Sequence, residues 1–270
     1  MLIVLPSSSY RVADFVAAAK MLRAETVIAT NAAQAMAGDM AYPLVRIDPR
    51  DPEWSAGRIV EFAQRFPLDA VVAADEEGVV MAAVAARELG LPHNPPEAVR
   101  VTRDKAAMRQ VFADAALPQP LFRVIGPDDD PVAACSEVGF PCVVKPVSLS
   151  ASRGVIRVDG IAEVADTVAR IRTITAEAGR DPGEPILAES FVSGTEVALE
   201  GLLVDGHLEV LALFDKPDPM NGPYFEETIL VTPSRLAHHV QDEIAEISRA
   251  AANALGLVQG PIHAEARVDD

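Results

Sequence analysis

Short apolar runs alternate with helical patterns through the first 95 residues, and this alternation restricts the fold more than any other feature. Strands are predicted at residues 2–5, 26–29, 44–47 and 70–73, and helices at 10–23, 53–66 and 76–89. Strands that are apolar throughout and are separated by helices are typical of a parallel sheet covered on both faces. The region contains no G-x-G-x-x-G sequence, so the predicted sheet alone indicates no dinucleotide ligand.

The pattern changes after a proline-rich connector at residues 91–96. Thr102 is the predicted N-cap of a helix that continues to about residue 116 and ends before Pro118. Short strands with period-2 alternation are then predicted at 142–145, 154–158, 186–191, 196–204, 208–214 and 262–268, with helices at 162–177 and 241–255. Asp205-Gly206 suits a type I′ hairpin turn. We therefore expect an α+β region with mainly antiparallel sheets.

Composition excludes several classes of protein. The chain has 270 residues, enough for about two domains, and its 23 basic against 40 acidic residues give a net charge of −17. Such a chain repels a phosphate backbone, so we expect no nucleic-acid partner. The longest apolar stretch, near residues 79–86, is too short to span a membrane, and we expect a cytoplasmic protein. Cys135 and Cys142 fit no disulfide framework or zinc motif and are predicted to be small core side chains.

Two lysines lie where apolar patterns are expected. Lys105 falls in the first turn of the predicted helix, and taken alone it is typical of a lysine that extends its ammonium to water. Lys145 ends a strand between two prolines, and a loop of small residues, Ser148 to Gly154, follows it. Such a loop offers backbone N–H groups and hydroxyls to phosphate oxygens. A solvated edge strand with an unliganded hairpin remains the alternative.

Carboxylates interrupt later strands. Glu189 and Glu196 each favour an exposed position when taken alone, although a ligand with amino or hydroxyl donors would also stabilise them in a buried one. His263, Glu265 and Arg267 share one face of an alternating strand. From the alternation, this face is the solvated side of a sheet, and a cleft-facing Mg²⁺ ligand is the alternative for Glu265.

Several motifs follow one another in a fixed order. They are RDK at residues 103–105, GFP at 139–141, VKP at 144–146, AESFVSGTEV at 188–197 and GPIHAE at 260–265. This order resembles the ATP-grasp superfamily of carboxylate–amine ligases. FDKP at 214–217, FEET at 225–228 and TPS at 232–234 are similar to its L-amino-acid ligase and carnosine-synthase-like branch. The resemblance implies a Rossmann-like pre-ATP-grasp domain at 1–95, a linking helix and first lobe at 96–192, and a second, incomplete lobe at 193–270.

The resemblance also implies roles for individual residues. It assigns nucleotide binding to Lys105, Lys145, Ser148, Ser150, Ser152, Gly154, Glu189, Val192 and Glu196. Within this set the lysines contact phosphates, the serine–glycine loop closes over them, Glu189 and the Val192 backbone meet adenine, and Glu196 binds the ribose hydroxyls. Glu265 is the implied first Mg²⁺ ligand. Lys216 and Glu227 are the implied catalytic residues, Lys216 at the γ-phosphate and Glu227 at the acceptor or substrate amine.

The implied reaction uses ATP and Mg²⁺ to join a small carboxylate, such as an amino acid, to an amine through an acyl phosphate. A non-catalytic ATP-binding module, a purine-pathway glycinamide ligase and a biotin-carboxylase-like enzyme remain alternatives, and a homodimer stays open. The resemblance further implies a second carboxylate on a return strand after Glu265, whereas the sequence ends with a predicted turn at Asp269-Asp270. We therefore expect a fragment of a longer ligase that lacks about one domain, with weak ATP binding and little or no turnover.

Overall fold

A computed structural model of the chain describes residues 1–7, 9, 11–32 and 44–269. The chain divides into two compact units, Met1–Arg100 and Val101–Asp270. The first unit contains, in order, β1 (Leu2–Val4), α1 (Val12–Met21), β2 (Val27–Thr30), β3 (Val45–Arg46), α2 (Pro52–Ala63), β4 (Val71–Ala73) and α3 (Val79–Glu88). Helix α4 (Pro96–Thr102) follows. In the part of the chain that the structure describes, no helix is long and apolar enough to cross a membrane.

The sheet of the first unit is parallel, with the strand order β3-β2-β1-β4 among the described residues. Its central strand β1 is fully buried because helices cover both faces. Leu2 and Val4 pack in one cluster with residues of α2 and α3, whereas Ile3 packs on the opposite side with Ala19 of α1. The predicted doubly covered parallel sheet is therefore confirmed.

The second unit begins with α5 (Lys105–Asp114), β5 (Phe122–Ile125), α6 (Pro131–Val138), β6 (Cys142–Pro146), β7 (Ile156–Val158), α7 (Ile161–Glu177) and β8 (Ile186–Ser190). Among residues 101–269, the strands of this segment form an antiparallel sheet of order β5-β8-β6-β7. Alternate residues of β6 and β8 point to α6 and α7, where Cys142, Val144 and Ala188 join the core. Cys135 and Cys142 are both fully buried there, as predicted.

The unit continues with β9 (Thr195–Val204), β10 (His207–Lys216), α8 (His238–Leu255) and β11 (Gly260–Val268). These strands form a second antiparallel sheet, of order β10-β9-β11 in the described chain. Its core face, which includes Val197, Leu199 and Leu213, packs against Ile244 and Ala252 of α8. Asp205 and Gly206 have φ values of 49° and 80°, as the predicted type I′ turn requires. The mainly antiparallel second half is confirmed.

Some of the predicted helix and strand boundaries are wrong. Thr102 does not cap a helix: it ends α4, and Asp104 caps α5 by accepting from the N–H groups of Ala106 at 2.9 Å and Ala107 at 3.1 Å. The predicted helix at 76–89 begins with a 3₁₀ turn at Glu76–Gly78. Sequence patterns missed β5, α6 and α4, and β7 begins two residues later than expected. Residues 10 and 270, on which a predicted helix start and turn fall, lie outside the described residues.

Candidate active site

The charged side chains predicted for the site lie on the sheet faces opposite those that pack against α6, α7 and α8. In the first antiparallel sheet, Glu189 is opposite Val143, and Val143 is opposite Arg157. Because side chains alternate along a strand, Lys145 shares this face with Glu189 and Arg157. In the second sheet, the register places Glu196 opposite both Lys216 and Arg267, and Glu265 opposite Ala198. Each sheet therefore has one apolar face against helices and one charged face.

Glu189 is the centre of a buried ion triad. Its carboxylate accepts from Arg109 Nε at 2.6 Å, and its second oxygen lies 2.6 Å from Lys145 Nζ. Burial disfavours the charged form, but the positive charges of Lys145 and Arg109 outweigh it and hold the pKa of Glu189 below its ordinary value. The expectation that Glu189 is exposed is wrong: it is 5% exposed. The hydrogen-bond donors that compensate for the burial of Glu189 are the side chains of Arg109 and Lys145.

The loop between β6 and β7 is held at its base by Lys105 and Glu184. Lys105 Nζ donates to the carbonyl oxygen of Leu149, and Ser148 Oγ donates to the carboxylate of Glu184 at 2.8 Å. Ala151 and Ser152 adopt positive φ values of 56° and 53°, so the tip of the loop is a tight turn. The serine-rich loop is thus an ordered turn whose first hydroxyl is engaged by a carboxylate.

Lys216 lies at the end of β10 and contacts three carboxylates. Its ammonium is 2.9 Å from Glu196 Oε1 and 2.7 Å from Glu227 Oε2, and it also donates to Glu265. The side chain is 2% exposed. Burial opposes the charged form, yet the hydrogen bonds that Lys216 donates to Glu227, Glu265 and Glu196 raise its pKa above the ordinary value. The lysine is therefore a charged group held inside an acidic cluster.

Glu265 is also paired with a histidine on its own strand. His263 Nε2 lies 3.6 Å from Glu265 Oε1, and His263 Nδ1 lies 2.7 Å from Glu200 Oε1. The interaction with His263, helped by the hydrogen bond from Lys216, overcomes burial and lowers the pKa of Glu265 to about 2. The same pairing raises the pKa of His263 to about 9. Both side chains are about half exposed, as expected for the solvated face of a sheet.

The two charged faces meet at Phe191, which follows β8. The guanidinium of Arg157, from the first sheet, lies 4.5 Å from the centre of the Phe191 ring. The guanidinium of Arg267, from the second sheet, lies 5.3 Å from the same ring. Arg267 Nη1 also donates to the carbonyl oxygen of Val192 at 2.6 Å, and its Nε lies 3.1 Å from Glu196 Oε2. The sequence predicted no role for Arg267, and the only indication of one was the strand face that it shares with Glu265.

Residues 217–230, which we name the strap, follow β10 along the chain and contact both sheets. At one end, Val231 and Asp215 form an antiparallel bridge with N···O distances of 2.9 and 3.0 Å. In the middle, Tyr224 bridges Ile156 of β7, and Arg157 N donates to Pro223 O at 2.9 Å. Asp218 closes the strap by accepting from the N–H of Thr228 at 2.6 Å. The strap thereby holds Glu227 over the end of β10.

The structure brings the predicted residues together in three groups. The first contains Lys145 and Glu189, the second Lys216, Glu196, Glu227 and Glu265, and the third the loop from Ser148 to Gly154 with Lys105. Val192 connects to the second group through Arg267. Arg109 and Arg267, to which no role was assigned from the sequence, each bind a predicted site carboxylate.

Comparison with known protein families identifies this class of fold. An ATP-grasp domain family matches residues 138–270, and an ATP-grasp N-terminal domain family matches residues 16–93. The first match includes the three strands β9, β10 and β11 with helix α8, and the second includes β2, β3 and β4. The chain therefore belongs to the ATP-grasp superfamily, and the predicted resemblance is confirmed.

Individual relatives are ligases. The chain is 29% identical over 233 residues to alanine–anticapsin ligase of Bacillus subtilis (strain 168), which covers 78% of this chain and 48% of that protein. It is 26% identical over 184 residues to D-alanine–D-alanine ligase of Aromatoleum aromaticum, covering 67% and 57%. The crystal structure of L-amino acid ligase from Bacillus licheniformis superposes with a TM-score of 0.79 at 27% identity, covering 99% of this chain and 63% of that one. The chain thus spans about half the length of the first of these relatives.

Proposed function

We propose that this chain carries the nucleotide-binding part of an ATP- and Mg²⁺-dependent ligase that joins the carboxylate of an amino acid to an amine. The Lys216 cluster is the observation that chiefly supports this proposal. A lysine that is 2% exposed and surrounded by Glu196, Glu227 and Glu265 provides a cation and several oxygen ligands at one point. Transfer of a phosphoryl group depends on such positioning and charge neutralisation more than on covalent catalysis.

The nucleotide contacts are proposed along the two charged faces. Lys105 and Lys145 bind phosphate oxygens, and the loop that contains Ser148, Ser150, Ser152 and Gly154 closes over them. Lys145 can reach a phosphate only by loosening its contact of 2.6 Å with Glu189, while Arg109 keeps that carboxylate ionised. Glu189 and the Val192 backbone then face the base, and Glu196 accepts from the ribose hydroxyls. Glu196 also binds Lys216 and Arg267, so it shares its oxygens between these cations and the ribose.

Glu265 fits the proposed magnesium site. Its carboxylate is half exposed on the open face, and its pKa of about 2 keeps it ionised at neutral pH. Among the described residues, no group of three or more His, Cys, Asp or Glu side chains forms a ready-made metal site. This fits Mg²⁺, which is commonly held by one or two carboxylates together with substrate phosphates. When bound, the ion would neutralise negative charge on the phosphates.

The reaction is proposed in two steps. The substrate carboxylate attacks the γ-phosphate, which gives an acyl phosphate and ADP; an amine then attacks the acyl carbon and releases phosphate. Lys216 stabilises the transferring phosphoryl group, and Glu227 on the strap binds the incoming amine. Closure of the serine-rich loop excludes water that would hydrolyse the acyl phosphate. The relatives that act on alanine support small amino acids as the substrate class.

Calorimetric titration of the chain with Mg·ATP tests the nucleotide site. We expect binding by the wild type and at least tenfold weaker binding by Lys145→Ala and by Glu196→Ala, since each removes a charged contact. Lys20→Ala, which removes an exposed lysine of the first unit, is the control and should bind as the wild type does. Equal binding by all four proteins would refute the assignment. ADP release with amino-acid pairs then distinguishes a ligase from a non-catalytic ATP-binding module.

A further inference from the structure

We propose that Arg267 is a positioning residue that couples occupancy of the nucleotide pocket to the conformation of the strap. The inference rests on the proposed function, because it takes Glu196 and Val192 as nucleotide contacts. It goes beyond that function because it connects the residues proposed to bind ATP with Glu227, the residue proposed to bind the amine. Arg267 itself contacts neither substrate in this proposal.

One guanidinium group joins three segments of the chain. From β11, Arg267 reaches the start of β9 through Glu196 Oε2 at 3.1 Å and the segment that follows β8 through Val192 O at 2.6 Å. Its Nη2 donates to the carbonyl oxygen of Met220 in the strap. The group also lies 5.8 Å from the centre of the ring of Phe225, a second strap residue. Two of these segments carry proposed nucleotide contacts, and the third carries Glu227.

The chemistry of arginine suits this arrangement. A guanidinium has five N–H donors in a rigid plane, so it can bind a carboxylate and two carbonyl oxygens at the same time and still stack on a ring. Lysine supplies the same charge but has neither the planar fork nor the stacking surface. The Arg267 side chain is only 15% exposed, so these contacts compete little with water. A change in Glu196 or Val192 when nucleotide binds is therefore transmitted to Met220.

The functional consequence concerns Glu227. The strap holds this glutamate 2.7 Å from Lys216, a residue that also binds Glu196. Glu196 thus contacts both Lys216 and Arg267, and the strap is attached to the same two cations. Binding of nucleotide at Glu196 therefore changes the contacts of both Lys216 and Arg267 with the strap. We expect the strap to become more ordered when nucleotide binds, which prepares the amine site after ATP has entered.

Hydrogen–deuterium exchange of residues 217–230 tests the coupling. In the wild type, saturating Mg·ADP should slow exchange of the strap at least tenfold. Arg267→Lys keeps a cation beside Glu196 but loses the planar fork, so at Mg·ADP concentrations that saturate the variant its strap should exchange at the same rate with and without nucleotide. Arg249→Lys, on the exposed side of α8, is the matched control and should behave as the wild type does.

The outcomes separate the inference from the proposed function. If Arg267→Lys binds nucleotide and its strap is still protected as in the wild type, the inference is overturned. If the wild type binds nucleotide and its strap does not respond, the inference is also overturned while the nucleotide site stands. If the wild type binds no nucleotide, the proposed function fails. Arg267→Met, which removes the charge, should lose both nucleotide affinity and strap protection; unaltered protection would contradict the coupling.

Discussion

Lys145 Nζ and Glu189 Oε2 lie 2.6 Å apart, and Arg109 binds the other oxygen of the same carboxylate. The three side chains are 15%, 6% and 17% exposed, so the ions are largely removed from water. The triad carries a net charge of +1, since two cations surround one carboxylate. That surplus positive charge lies at the end of β6, next to the loop proposed to close over the phosphates.

Lys145→Met should weaken nucleotide binding more than it weakens folding. Arg109 remains on Glu189, so the carboxylate keeps a partner, and we expect a loss of about 1–3 kcal/mol in the free energy of unfolding. Nucleotide affinity should fall at least tenfold, because the surplus positive charge is lost. Urea unfolding and calorimetric titration measure the two effects. A variant that binds Mg·ATP normally would show that Lys145 serves the fold alone.

Glu189→Gln should change how stability depends on pH. The pKa of Glu189 is held below 4.5, so its ionised form stabilises the fold fully above that pH, and the contribution is lost as the pH falls through the lower folded-state pKa. At neutral pH the variant should be less stable than the wild type, because Lys145 and Arg109 lose their counter-charge. On the acid side the two unfolding free energies should converge. A constant difference from neutral to acid pH would contradict this assignment.

The sequence predicted most of the fold because its strands have strong periodicity. The fully apolar β1 and the alternating β11 were both evident, since each pattern matches only one kind of sheet environment. Strand β5 was missed because its residues, FRVI, include an exposed Arg123 and make a short edge strand without clean alternation. The N-cap at Asp104 was missed because Thr102, two residues earlier, is also a good capping residue, and only the end of α4 decides between them.

The site was predicted less completely than the fold. Grouping of Lys216 with Glu196 and Glu265 depends on the register of three strands, and a pattern along one strand does not reveal it. The burial of Glu189 was missed for the same reason, because its partners come from α5 and β6. One signal was available: the chain has only four lysines, and Lys105, Lys145 and Lys216 are three of them. Arginine is used at most other basic positions, which sets these lysines apart.

Lys216→Ala should make the chain respond to divalent cations. Removing the ammonium leaves Glu227 and Glu265 without their shared cation, so we expect a loss of about 1–3 kcal/mol in the free energy of unfolding. The freed carboxylates can then bind Mg²⁺, which stabilises the folded state by mass action. Thermal unfolding with and without Mg²⁺ should show a larger upward shift of Tm in the variant than in the wild type. Lys20→Ala is the control, and equal shifts in all three proteins would contradict the prediction.

Gly194→Ser tests the connection that aligns Glu189 with Glu196. Gly194 has a φ of 96°, and a Cβ atom at this position would lie 1.9 Å from the carbonyl oxygen of Val268 at the end of β11. Both the backbone conformation and the close approach exclude a side chain, so we expect a loss of about 1–3 kcal/mol or more in the free energy of unfolding. Glu196 should also be displaced, which weakens nucleotide binding.

Gly160→Ser is the matched control for that substitution. Gly160 is the N-cap of α7, its backbone is extended, and a Cβ atom there would meet nothing within 4 Å. Serine is favoured at an N-cap, so this variant should be as stable as the wild type or slightly more stable. Urea unfolding of both variants separates the two expectations. If Gly194→Ser unfolds at the same urea concentration as Gly160→Ser, the backbone of residues 193–195 does not pack against β11 as described, and the alignment of Glu196 with Arg267 must have another origin.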